Sequence, residues 1–187
     1  MNRMDPITGF TVNTGSVFMD GLEKLIKHWH TCNRLHEIRK IIVAFCTDNG
    51  IPVPKIRFPL WLAQNAYMTD NGKLAISRHF LFTSASERCL KVLLHELSHL
   101  WLSTQENYSH LLALECAFIK TFGKDLNPVS TYPVEYYATL TECALLQHIS
   151  ACMEDEPAGK LRKQLAEEIY KLSLVKQTIE LSIRSID

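Results

Sequence analysis

The chain lacks any apolar run approaching the length of a membrane-spanning helix, so insertion into a bilayer is not expected. Its first residues, MNRMDPITGFTVNTG, hold no apolar core of the secretory type, and no leader is expected there. Net charge is missing as well, because 20 Lys and Arg balance 20 Asp and Glu. With a pI of about 7.1 there is no strong electrostatic hold on nucleic acid or on an anionic membrane. There is no CxxC pair. The six cysteines, Cys32, Cys46, Cys89, Cys116, Cys143 and Cys152, are scattered, most of them among apolar residues at helical spacing. This reads as buried free thiols in a reducing compartment rather than a disulfide framework, and a cytoplasmic protein is expected. Repeats, low-complexity tracts and obvious linkers are absent too. What remains is 187 residues, 47% hydrophobic and 21% charged, enough for one soluble domain over 1–187 with a proper core. Nothing in the composition fixes an oligomeric state.

Periodicity gives the order of elements. Leu22, Leu25, Ile26, Trp29, Cys32, Ile38, Ile42 and Phe45 recur at helical spacing, which predicts one amphipathic helix over about 17–48. Asn49-Gly50 and Pro52 stop it, and Gly21 weakens its start. His28, His30 and His36 lie on it without forming a ligand pattern. A sheet is expected over about 55–78. KIRFPL reads as a short edge strand ended by Pro59. WLAQNAYMT and KLAISR read as a hairpin turned by Asp70-Asn71-Gly72. Ser84-Ala85-Ser86-Glu87 reads as a capping box opening a helix to Leu102. Further helices are expected over about 108–122, 134–153 and 158–183, so the part from 85 to 183 is helical.

The most informative residues are His95-Glu96-Leu97-Ser98-His99, which spell HExxH. Positions four apart share a helix face, so both imidazoles can reach one metal ion. Glu96, one step round, flanks that face, where a carboxylate can take a proton from an activated water. The bland alternative is two histidines and a glutamate on a solvated face. The surrounding CLKVLLHELSHLWL is too apolar for that. Buried His and Glu side chains need a partner, and a zinc ion is one.

A catalytic zinc site takes three protein ligands. Position 102 is Leu and position 105 is Gln, so the HExxHxxGxxH continuation is excluded. The residues that follow offer Glu115, Glu135, Glu142 and His110. Glu115 sits within the apolar stripe of Tyr108, Leu111, Leu112, Phe118, Ile119 and Phe122, where a lone carboxylate needs a reason. Glu135 opens the helix PVEYYATLTECALL.

The element order together with VLLHELSHLW resembles the zincin metallopeptidases. That likeness implies an α+β fold with a small antiparallel sheet packed on the HExxH helix, its edge strand holding extended peptide. Glu135 and Ala138 resemble the E-x-x-A segment of gluzincins such as the ImmA/IrrE-like peptidases. This resemblance implies Glu135 as third ligand, with Ala138 letting two helices approach. Thr139 stands where those families usually carry Asp or Asn. ALECAF weakly resembles another gluzincin segment, which keeps Glu115 in view. YSHLLALECAF has a faint SprT-like look, which keeps His110.

The resulting expectation is a zinc metallopeptidase acting on a protein or peptide substrate, with Glu96 as general base and His95, His99 and Glu135 on the metal. The alternative is a zincin-like metal-binding module that does no chemistry, or an interaction protein using its long last helix. A structural site needs ligands but no base, so Glu96 favours the enzyme. Tyr108, Tyr132, Tyr136, Tyr137 and His110 are all available as oxyanion donors, and the sequence selects none.

Overall fold

The structure is a computed structural model that describes residues 13–69, 72–123, 132–152 and 155–184. Among these it is mixed α+β and mostly helical, with seven helices and one three-stranded sheet.

The expected first helix is two helices, α1 (Ser16–Lys27) and α2 (Arg34–Asp48). Asn33 caps α2, its side chain accepting from His36 N–H. Trp29 is buried in the corner between them, with the Arg34 guanidinium 4.4 Å from its ring. The apolar spacing runs through the corner almost in register, so periodicity does not reveal it. Gly21, read as a weakness, is a point of contact. A Cβ there would stand 2.7 Å from Ile41 Cγ1, so the missing side chain lets α1 approach α2. His28, His30 and His36 are exposed.

The sheet comprises β1 (Lys55–Arg57), β2 (Ala66–Thr69) and β3 (Lys73–Ile76), in the order β1-β3-β2. It is mixed rather than antiparallel. β2 pairs antiparallel with β3, but β1 pairs parallel with it, Ile56 opposite Leu74. The segment from 58 to 65 carries the chain back across the sheet, which makes β3 central and leaves β1 and β2 as edges. Residues 61–65 are therefore connection, not strand. The hairpin joining Thr69 to Lys73 has Gly72 at φ 69°, a conformation that favours glycine, and Gly72 N–H donates to Thr69 O. Asp70 and Asn71 lie outside the described residues.

A short helix absent from the sequence reading, α3 (Arg78–Thr83), follows Ser77, whose side chain caps it through Phe80 N–H. The HExxH helix α4 spans Ser86–Leu102. Its N-cap is Ala85, so the expected capping box is not formed; Ser84 ends α3 instead. Next come α5 (Tyr108–Phe122), α6 (Pro133–Cys152) and α7 (Asp155–Arg184).

Helix α4 lies at the centre. Leu90, Leu93, Leu94, Leu97 and Leu100 are buried in one core with α1, α2, the sheet and Leu145, Leu146 and Ile149 of α6. β2 and α6 both pack on α4. Burying these leucines stabilises by about 1.5–3 kcal/mol each, which fixes the helix that carries the motif. A smaller cluster joins Leu102 of α4, Leu111 of α5 and Val134 and Ala138 of α6, and Ala138 is fully buried there. No helix among the described residues is long and apolar enough to cross a membrane. All six cysteines are free; Cys46, Cys89 and Cys143 are buried, Cys32 is half-buried, and Cys116 and Cys152 are exposed. Burial pushes the Cys46 thiol up to about 11 and those of Cys89 and Cys143 up to about 12.

Candidate metal centre

Two helices build the site. On α4, His95 and His99 are one turn apart and both half-buried. The first turn of α6 brings Glu135 to them. Among the described residues this is the one trio of His, Cys, Asp or Glu side chains able to hold a metal ion, its ligand atoms all within 4.8 Å of one another. His95 Nε2 lies 3.1 Å from His99 Nε2 and 3.2 Å from Glu135 Oε2. His99 Nε2 lies 3.5 Å from Glu135 Oε1. Donors arranged tetrahedrally at about 2.0–2.1 Å from zinc stand about 3.3 Å from each other. The donor set and its spacing fit such an ion.

The far side of His95 is held by Glu142. Its Oε2 is 3.0 Å from His95 Nδ1, and the residue is 1% exposed. With Nδ1–H donating to that carboxylate, Nε2 keeps its lone pair for a metal. Seven residues separate Glu135 from Glu142, so α6 presents both carboxylates on one face, two turns apart. Glu142 was one of four candidates for the third ligand; its place is behind His95, at Nδ1. The signal was that spacing inside a run otherwise apolar enough to be buried. Thr139, where the resemblance leads to Asp or Asn, bonds its own helix, Oγ1 donating to Glu135 O.

The rival ligands sit elsewhere. Glu115 Oε2 accepts from Val134 N–H at 2.7 Å. It satisfies one of the free donors at the start of α6 and so steadies the turn that carries Glu135. That is the reason for a carboxylate in the stripe of α5. His110 is exposed and outside the cluster. Of the tyrosines, Tyr132 and Tyr136 are buried and Tyr108 and Tyr137 half-buried.

Electrostatics separates the acids. Burial on its own works against the His95 imidazolium, but hydrogen bonds to Glu135 and Glu142 and their charge outweigh it and raise its pKa to about 10. Burial likewise works against the Glu135 carboxylate, yet bonds to His95 and His99 hold it well below the ordinary range. Glu96 goes the other way. It is buried beside the two histidines, and burial raises its pKa although the neighbouring imidazoles pull it down. Burial also raises Glu115, against the pull of the Val134 N–H. The two acids beside the histidines are thus pushed in opposite directions, Glu96 up by burial and Glu135 down by its bonds to the imidazoles.

Compared with known proteins, the chain matches no family model, no curated protein and no solved structure.

Proposed function

We propose that this chain is a zinc-dependent peptidase of zincin type, hydrolysing peptide bonds at a His95–His99–Glu135 centre with Glu96 as general base. The observation that carries the reading is the convergence of those three donors, with Glu96 buried beside them and outside the trio. A divalent ion held there would supply Lewis acidity to a carbonyl and lower the pKa of a bound water to about 7.

The residues divide the remaining work. His95 and His99 would bind as neutral imidazoles and Glu135 would add a single negative charge, so a divalent ion with its three ligands would keep net positive charge for the developing oxyanion. Glu142 fixes the ring of His95. Glu96 accepts the proton of the attacking water and passes it to the departing amine. Burial raises its pKa, which makes its carboxylate a stronger base for that proton. β2 is an edge strand packed on α4, and its free side offers backbone groups to an extended peptide.

A metal-binding module without chemistry needs the trio but gives no role to Glu96, whose burial is costly. The test is hydrolysis of a mixed peptide library by protein stripped with a chelator and then reloaded with zinc. Turnover that disappears on stripping and returns with zinc supports the enzyme. One bound zinc without turnover supports the module.

A further inference from the structure

Along one face of helix α4, Arg88 is exposed and Val92, His95 and His99 are half-buried. Their spacing of four, three and four residues keeps them on one face. Arg88 is seven residues before His95, about 10.5 Å along the axis and only about 20° round it. The metal-binding face of the helix therefore continues to Arg88.

Arg88 borders a cavity of about 220 Å³ where α4 begins. The cavity lies against the start of the sheet's edge, since Asn65 directly precedes β2 and its carbonyl accepts from Ser77 N–H, the residue after β3. One wall is Trp61 stacked on His79, ring centroids 3.8 Å apart. Gln64, Asn65 and Thr83 add hydrogen-bonding groups, and no acidic side chain lines it. The Arg88 guanidinium carbon stands 5.8 Å from the Phe80 ring centroid, and Arg88 makes no ion pair with a described residue. Its acidic neighbour Glu87 accepts from Ser86 Oγ instead.

We infer that this cavity is a substrate subsite for a carboxylate, with Arg88 as the residue that selects it. The inference rests on the peptidase reading for the direction in which substrate lies. An extended peptide advances about 3.3–3.4 Å per residue, so about three residues separate the metal centre from Arg88. The carboxylate comes from an Asp or Glu side chain three residues from the cleaved bond, or from the free C-terminus of a short substrate. A planar guanidinium binds either one through paired N–H donors, and Gln64 and Asn65 line the same cavity.

The test titrates three alanine-based heptapeptides into zinc-loaded Glu96→Gln protein, followed by NMR of the Arg, Asn and Gln side-chain N–H signals. One peptide is blocked at both ends with a central Asp. The second is its blocked Asn twin. The third is the Asn twin with a free C-terminus. The Asp peptide or the free-terminus peptide should bind about tenfold tighter than the blocked twin, as expected for a charge-assisted hydrogen bond, and which of the two does so identifies the source. Arg88→Gln, an exposed change that leaves the core intact, should erase the advantage. Equal binding of all three, or an advantage that survives Arg88→Gln, overturns the subsite. Library turnover by wild-type protein is read in parallel. Selective binding without turnover removes the peptidase reading alone. Turnover at sites with no carboxylate three residues away removes the subsite alone.

Discussion

Glu142 Oε2 lies 3.0 Å from His95 Nδ1, on the side of the ring opposite the other donors. This contact joins α6 to α4 a second time, two turns beyond Glu135, and it leaves Glu142 Oε1 buried with no hydrogen-bond partner. A half-satisfied buried carboxylate costs stability, and on the proposed reading its role is to orient His95 for a metal.

Glu142→Gln should therefore weaken zinc binding by about 10- to 100-fold while the fold persists. Competition against a chelator measures it, with circular dichroism as the control. Unchanged affinity would make Glu142 a packing residue.

Wild-type protein should hold about one zinc per chain, and the His95→Ala, His99→Ala double variant none. Glu135→Ala should weaken binding strongly. Glu115→Ala should instead cost stability, about 1–2 kcal/mol by analogy with a lost helix cap, with a smaller effect on affinity. Elemental analysis, chelator competition and urea denaturation separate these outcomes. A larger loss of affinity in Glu115→Ala than in Glu135→Ala would move the third ligand to α5.

The pH dependence follows from His95, whose pKa is about 10 in the fold against an ordinary 6.5. A raised basic group stabilises the metal-free protein fully below about pH 6.5 and loses that contribution as the pH rises towards 10. Glu135, held low, works in the opposite sense, its contribution present above its ordinary 4.5 and lost in strong acid. Metal-free protein should thus become easier to unfold from pH 7 to 8, below the range in which the buried thiols of Cys46, Cys89 and Cys143 add a fall of their own, and His95→Phe should lack that fall. Zinc must displace the His95 proton, so binding near neutral pH should release about one proton and weaken as the pH drops. Calorimetry in buffers of different ionisation enthalpy counts the proton. Binding without proton release would contradict the charged state of His95.

The helices were legible where apolar spacing met a clear stop: α4, α5 and α6 lie within a residue or two of their expected limits. The corner at 28–33 was hidden because Trp29 and Cys32 continue the apolar spacing through it. The parallel pairing of β1 depends on a crossing of the chain over residues 58–65, which no local pattern encodes. At the site, His95, Glu96 and His99 follow from one helical turn, and Glu135 from a resemblance the geometry now accompanies with a real convergence. The division of labour among Glu115, Glu135 and Glu142 was not legible. Each is a carboxylate in an apolar helix, and only the packing of α5 and α6 on α4 decides which caps a helix, which meets the two histidines and which stands behind His95.

The most direct test of the central claim is turnover by Glu96→Gln protein carrying the same zinc content as wild type. Glu96 as general base predicts a loss of about three or more orders of magnitude with the metal still bound. Turnover equal to wild type at matched zinc would contradict it.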